Sequence, residues 1–155
     1  MTVARRPMIR VLVVEDGTEY IDTFGRFVPG FDWHRAGSGP EALARLAAEP
    51  FDALFCDMRF DRVPIDRLLG DIGEAADRFN GDPEQARHFL ENYQGNYILA
   101  ALRDAGWGLP VLMSHDFEAE PRRWQRIVER YGPVEYLPDN AGPGEVGERL
   151  RRLLS

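Results

Sequence analysis

Apolar runs and amphipathic segments alternate along the chain. Three near-continuous apolar runs end on polar or acidic residues: "MIRVLVVED" (8–16), "FDALFCD" (51–57) and "GLPVLMS" (108–114). Such runs are typical of strands that crossover helices bury on both faces of a parallel sheet. The shorter segment 133–137 predicts a further buried strand. Segment 31–36 alternates apolar and polar residues and therefore predicts a half-exposed edge strand.

Helical periodicity fills the intervals between these strands. It predicts helices over 17–27, 39–50, 95–105, 121–131 and 143–154. Strands that alternate with helices indicate an α/β domain with a parallel sheet and right-handed crossovers. Ligand sites in such sheets lie outside the carboxyl ends of the strands. The residues at these ends are Glu15, Asp16, Asp57 and Ser114.

Residues 61–94 do not fit a simple alternation of strands and helices. An apolar stripe at helical spacing predicts one helix through "IDRLLGDIGEAADRF" (65–79). "NGDP" then ends this helix, and a second helix begins with Asp82 as its cap and Pro83 at its first position. We therefore expect a two-helix insertion after the third strand. Its apolar residues are expected to pack the helices, and a second hypothesis makes them a partner-binding surface: Leu68, Leu69, Ile72, Phe79, Phe89 and Tyr93.

The composition limits the class of protein. A chain of 155 residues with 44% hydrophobic and 29% charged residues is typical of one soluble globular domain, here 1–155. It contains no apolar run long enough to cross a bilayer, and its N-terminal segment does not resemble a signal peptide, so we expect a cytoplasmic protein. The net charge of −7 disfavours nucleic-acid binding. Cys56 lies inside an apolar run and is expected to be a small buried residue.

Five ordered motifs suggest a family. "VLVVED", "AGSGPEALARL", "FDALFCDM", "LPVLMS" and "VEYL" together resemble the receiver domain of bacterial response regulators, which histidine kinases phosphorylate. The resemblance covers nearly the whole chain apart from residues 61–94. It implies a five-stranded parallel sheet in a three-layer, flavodoxin-like sandwich with strand order 2-1-3-4-5.

The resemblance also implies roles for single residues. Asp57 would be the phosphoacceptor, and Glu15, Asp16, Asp57 and the backbone carbonyl of Arg59 would form a Mg²⁺ site. A cation is needed there because a carboxylate approaches a phosphoryl group only when the negative charge is neutralised. Ser114 and Tyr136 would be the switch residues. From the residues alone, the acids could instead cap the following helices, Ser114 could cap a turn, and Tyr136 could be a packed aromatic residue.

The site lacks the lysine that the family pattern has near its phosphoacceptor. Asp139 stands where receivers have a lysine, and all nineteen basic residues of the chain are arginine. Replacement of lysine by arginine would predict arginine at this position, not an acid that opposes phosphoryl binding. Arg59, two residues after Asp57, is a candidate replacement for the missing cation. Phe60 and Asp61 also replace the usual Met-Pro pair of the loop after Asp57.

Three functions remain open at this point. The favoured one is an atypical stand-alone receiver-like signalling module that acts through protein–protein interaction, independently of phosphorylation. The second is a Mg²⁺-dependent phosphoacceptor receiver whose partner is a histidine kinase or a downstream signalling protein. The third, of a different class, is a metal-dependent phosphate-processing enzyme using Glu15, Asp16, Asp57 and Asp116. The sequence does not identify the partner or the oligomeric state.

Overall fold

The computed structural model describes residues 8–155 and contains one five-stranded parallel sheet. The strands are β1 (Ile9–Val14), β2 (Phe31–Ala36), β3 (Ala53–Asp57), β4 (Val111–Ser114) and β5 (Val134–Tyr136), in the order β2-β1-β3-β4-β5. Each strand lies within its predicted segment, and all neighbours pair in parallel. The predicted fold class and strand order are confirmed. Residues 1–7, which bear on the signal-peptide expectation, lie outside the described residues.

Within residues 8–155, seven α-helices cover the two faces of the sheet. They are α1 (Glu19–Phe27), α2 (Gly39–Ala48), α3 (Ile72–Asp77), α4 (Pro83–Asn92), α5 (Gln94–Asp104), α6 (Pro121–Tyr131) and α7 (Pro143–Leu154). Among residues 8–155, no helix has the length and hydropathy that a membrane span requires.

The core has two parts because successive strand residues point to opposite faces of the sheet. Leu54 and Cys56 of β3 pack on the side of α2, α4, α5 and α6, whereas Phe55 packs on the side of α1 and α7. Cys56 is fully buried, as predicted. This two-sided burial produces the three-layer sandwich and explains why the central strands read as continuous apolar runs.

The insertion contains two helices, as predicted, but the first is shorter than expected. The predicted helix over 65–79 is wrong: a 3₁₀ turn at Ile65–Arg67 precedes α3, and Gly70 between them has φ +108°. Such a φ value ends a helix and suits glycine. Asp71 then caps α3 by accepting hydrogen bonds from two backbone amides, and Asp82 caps α4 in the predicted way.

Contacts within the insertion show which of its apolar residues face solvent. Leu68 is only 9% exposed and belongs to the core, so its assignment to a partner surface is wrong. The Gln94 side chain fixes this segment by bonding both the amide and the carbonyl of Leu69, at 2.7 and 3.0 Å. Phe89 packs on the rings of Phe79 and Tyr93, with centroids 5.8 and 4.8 Å away. Of the proposed set, only Ile72, at 38%, is an exposed large apolar residue.

Candidate functional site

Asp57 ends the central strand β3, between β1 and β4. Asp57 is in register with Ser114 of β4, and its predecessor Cys56 is in register with Val14 of β1. Glu15 and Asp16 follow Val14 directly. Parallel strands therefore bring Asp57, Ser114 and the two acids to one edge of the sheet, where the sequence places them.

The carboxyl group of Asp57 is in a largely buried and negatively charged setting. Burial, reinforced by the nearby charges of Asp16 and Glu15, raises its pKa to about 6. The backbone amides of Met58 and Arg59 act in the opposite direction, and the Met58 amide donates to Oδ1 at 2.8 Å. The ionised form of Asp57 is therefore disfavoured relative to an ordinary aspartate.

Glu15 caps the helix that follows β1. Its side chain is buried, with 1% of the residue exposed. Oε1 accepts a hydrogen bond from the Tyr20 amide at 3.0 Å, and Oε2 accepts one from the Ile21 amide at 2.8 Å. Burial raises the pKa of Glu15, whereas these two amides lower it. Both oxygens therefore serve the first turn of α1, which is the capping role that the residues alone left open.

Asp16 holds the loop that follows β3. Its side chain is 3% exposed, and Oδ2 accepts hydrogen bonds from the amides of Asp61 and Arg62 at 3.0 and 2.9 Å. The Arg62 guanidinium returns to this acid, with Nη2 3.4 Å from Oδ1, and also donates to Oε1 of Glu19 at 2.9 Å. The hydrogen bond from Arg62 lowers the pKa of Glu19 to about 2.

Arg62 lies directly over the backbone at Gly17. A Cβ atom at Gly17 would lie 2.6 Å from Nη2 of Arg62, so glycine permits this close approach. The sequence assigns no role to Arg62, because its partners are Asp16 and Glu19, more than forty residues earlier in the chain. Arg62, Asp16 and Glu19 form a charged bridge, named here the Arg62 bridge, beside Asp57.

Arg59 does not supply the missing cation. Its guanidinium pairs with Oδ2 of Asp61 at 3.2 Å, and its side chain is 68% exposed. The predicted compensation of Asp57 by the Arg59 side chain is therefore wrong in this structure. The arginine that binds an acid of the site is Arg62.

The donor set in this conformation does not fit Mg²⁺. That ion requires near-octahedral oxygen ligands, whereas both oxygens of Glu15 and one oxygen of Asp16 accept backbone amides. Within residues 8–155, no three His, Cys, Asp or Glu side chains are grouped so that they could hold a metal ion. Magnesium binding stays a prediction that would require Asp16 to leave the loop.

Ser114 is held by a tyrosine that the sequence did not indicate. The Ser114 and Tyr20 hydroxyl oxygens lie 2.6 Å apart, and the Tyr20 ring packs on Phe55 with centroids 4.9 Å apart. Burial raises the pKa of Tyr20, and the charge of Asp57 raises it further. Tyr20 therefore lies near Asp57 and engages the predicted switch hydroxyl. The two residues are ninety-four positions apart, so no local pattern reveals the contact.

Tyr136 is a packed aromatic residue in this conformation. Its ring meets Trp124 of α6 edge-on with centroids 4.9 Å apart, and Phe117 with centroids 5.7 Å apart. These contacts match the structural alternative for Tyr136 and do not test its switching role.

The carboxylate of Asp116 joins two loops. Its Oδ1 accepts the Glu118 amide at 2.8 Å, and its Oδ2 accepts the Asp139 amide at 3.1 Å. These bonds lower the pKa of Asp116. Asp116, Glu118 and Asp139 line a cavity of about 320 Å³, whose lining includes none of Glu15, Asp16 and Asp57. Asp139 thus occupies an exposed loop in which its backbone, not its carboxylate, makes the contact with Asp116.

Comparison with solved structures identifies the fold. No family model matches the chain, and no curated protein matches it. The receiver domain of the Francisella response regulator 1452 is 17% identical, with a TM-score of 0.63 over 94% of this chain and 95% of that one. The chemotaxis response regulator CheY4 of Vibrio cholerae is 19% identical, with a TM-score of 0.64 over 96% and 100%.

A third similar structure comes from a larger signalling protein. The receiver domain of a signal transduction histidine kinase from Syntrophus aciditrophicus is 15% identical, with a TM-score of 0.61 over 94% of this chain and 89% of that one. At these identities the likeness establishes the fold. The chain has the fold of a response regulator receiver domain.

Proposed function

We propose that the protein is a receiver-like signalling module that acts through contacts with a partner protein and does not require phosphorylation of Asp57. The main support is the state of Asp16, whose carboxylate binds two loop amides and the Arg62 guanidinium. A phosphoacceptor site needs that acid free to hold a cation. Here two loop amides and the guanidinium of Arg62 bind this acid.

The electrostatics of Asp57 support the same proposal. Its carboxyl group has a raised pKa, with two acids nearby, and an aspartate stands at the position of the family's lysine. A transferred phosphoryl group would add negative charge beside Asp16 and Glu15. Such charge requires a positive partner, because like charges in a poorly solvated site repel one another strongly.

A phosphoacceptor receiver is the second candidate, and one observation favours it. Ser114 is in register with Asp57 on the neighbouring strand, so a hydroxyl stands beside the candidate acceptor. In this candidate a histidine kinase is the partner, Mg²⁺ is the cofactor, and the Arg62 bridge must open before transfer. A phosphate-processing enzyme is not the function proposed, because Asp116 lines a cavity whose lining includes none of the other three acids of that hypothesis, Glu15, Asp16 and Asp57.

One experiment separates the two candidates. The protein is incubated with Mg²⁺ and acetyl phosphate, and in parallel with Mg²⁺ and beryllofluoride, while intact mass and tryptophan fluorescence are followed. We expect neither a mass increase nor a fluorescence change. Asp57→Asn is the matched control, since it removes the acceptor but keeps its shape. A mass increase in the wild type that Asp57→Asn abolishes would overturn the proposal and establish the phosphoacceptor.

The same experiment can be repeated with the bridge removed. Arg62→Gln leaves Asp16 without its guanidinium partner while keeping a side chain of similar length. If the bridge alone suppresses phosphorylation, this variant acquires the Asp57-dependent mass increase. If it stays unmodified, the loop amides that Asp16 still accepts, together with the acids around Asp57, suffice to block the reaction.

A further inference from the structure

A cleft lined by arginines lies next to the Arg62 bridge. Its volume is about 440 Å³, and it lies between the loop that joins β2 to α2 and the segment that follows β3. Arg35, Arg62 and Arg67 line it, together with Ser38 and Glu41. The chain as a whole carries a net charge of −7. The charged side chains that line this cleft are mostly positive, whereas the chain as a whole is negatively charged.

Two of these arginines have no acidic partner. Within residues 8–155, neither Arg35 nor Arg67 has a carboxylate within the 4.0 Å of an ion pair. Nε of Arg35 instead donates to the carbonyl of Gly17, which fixes the guanidinium at the rim of the cleft. Arg35 is half-buried and Arg67 is exposed. Their positive charges are available to a ligand.

Three acids at or beside the cleft already have partners within the protein. Glu41 is the one acid among the residues that line it, and its Oε2 accepts the Gly37 amide at 2.6 Å. Asp16 and Glu19 pair with Arg62 at the edge of the cleft. Glu15 is near enough for the charge of Arg35 to lower its pKa, against a larger rise from burial, but its oxygens face α1. The lining thus carries three arginines against one acid, and because Arg62 is paired with Asp16 and Glu19, the positive charges without an acidic partner are those of Arg35 and Arg67.

We propose that this cleft binds a small ligand that carries two linked phosphate groups. A guanidinium presents a planar pair of N–H donors that matches phosphate oxygens, and two arginines without partners can each hold one phosphate. The volume lies within the range of small-molecule sites and exceeds what a single phosphate needs. The N-terminus of α2, capped by Ser38, adds a weak positive potential on the same side.

Binding of the ligand also affects the site at Asp57, because both involve Arg62. Arg62 lines the cleft and binds Asp16 and Glu19, so a bound diphosphate competes with these acids for its guanidinium. Occupancy of the cleft therefore weakens the hold of the Arg62 side chain on Asp16. A small molecule could therefore regulate the protein without any phosphoryl transfer. The inference stands whether or not Asp57 is phosphorylated.

Isothermal titration with inorganic pyrophosphate, in EDTA and at constant ionic strength, tests the proposal. We expect saturable binding of one pyrophosphate per chain. Arg67→Gln and Arg35→Gln should each weaken it by about tenfold or more, since each removes charge-assisted hydrogen bonds. Arg122→Gln, an exposed arginine on α6, is the matched control and should leave the affinity unchanged. Because Arg67 is exposed, its variant is expected to fold, which circular dichroism checks.

Three results would overturn the proposal. The first is the absence of measurable binding heat at about 1 mM pyrophosphate, since a dissociation constant above that concentration does not indicate a specific site. The second is equal loss of affinity in Arg122→Gln and Arg67→Gln, which indicates attraction to surface charge in general. The third is equally tight binding of sulfate, which indicates a site for any anion. Failure here leaves the test of Asp57 phosphorylation unaffected, because that test uses no pyrophosphate.

Discussion

Replacing Asp57 by asparagine should stabilise the protein at neutral and alkaline pH. Burial raises the pKa of this carboxyl group to about 6 from its usual 3.8. The folded state therefore binds the proton more tightly than the unfolded state does. Asparagine keeps the shape of the side chain and can still accept the Met58 amide, but it carries no charge to be desolvated. The substitution removes a cost that the wild type bears whenever Asp57 is ionised.

The magnitude follows from the two pKa values. Below about pH 3.8 the carboxyl is protonated in both states and makes no difference to stability. As the pH rises from about 3.8 to about 6, the unfolded state has lost this proton while the folded state still holds it, so stability falls, and the loss is complete above about pH 6. Each pKa unit is worth about 1.4 kcal/mol, which gives an upper bound of about 3 kcal/mol above pH 7. We expect about 1 to 3 kcal/mol, because the side chain keeps some contact with solvent.

Urea denaturation followed by tryptophan fluorescence measures the effect. At about pH 8, Asp57→Asn should raise the free energy of unfolding by the amount above, with a rise in Tm of roughly 3 to 10 °C. At about pH 4.5 the gain should fall to about a third of its value at pH 8, because the unfolded state is still largely ionised there while the folded state is protonated. Asp77→Asn, at an exposed aspartate of α3, is the matched control and should change stability little at either pH.

Two results would refute this reasoning about Asp57. One is an Asp57→Asn protein that is no more stable than the wild type at about pH 8. The other is a gain of the same size at both pH values, because a desolvation cost must follow the ionisation of the carboxyl group.

Three further changes test contacts of the site and the insertion by the same denaturation assay. Glu15→Ala leaves two amides of α1 without an acceptor and should cost about 1 to 2 kcal/mol; no loss would show that water replaces the cap. Gly70→Ala should destabilise by about 1 to 3 kcal/mol and by more than Gly81→Ala, since both have positive φ but only Gly70 has a side chain within 2.7 Å of the new Cβ; equal losses would contradict this. Tyr20→Phe and Ser114→Ala should show a coupling energy of about 0.5 to 1.5 kcal/mol in a double-mutant cycle, and additive effects would mean that their hydroxyl contact contributes nothing.

The sequence by itself determined the architecture and the position of the candidate site. Three continuous apolar runs, one shorter apolar segment and one alternating segment, separated by helical periodicity, predict the five strands, because burial on one or both faces of a sheet leaves a distinct pattern. The same pattern placed Asp57 at the end of β3 beside Ser114, Glu15 and Asp16. Asp82 and Pro83 likewise predicted the start of α4, because capping depends on adjacent residues alone.

The tertiary structure decided what each group of the site contacts. The helix predicted over 65–79 is interrupted at Gly70, whose positive φ accompanies close packing on Leu90 and Tyr97, and only Ile72–Asp77 forms an α-helix. Leu68, which was expected on a partner surface, lies in the hydrophobic core.

The contacts of Asp16 and Ser114 were equally invisible in the sequence. Asp16 binds Arg62, forty-six positions away, and Ser114 meets Tyr20, ninety-four positions away. Local patterns report which side of an element is buried, whereas such contacts depend on where the whole chain brings each loop. The position of Asp57 is therefore a property of one strand, and its chemistry is a property of the fold.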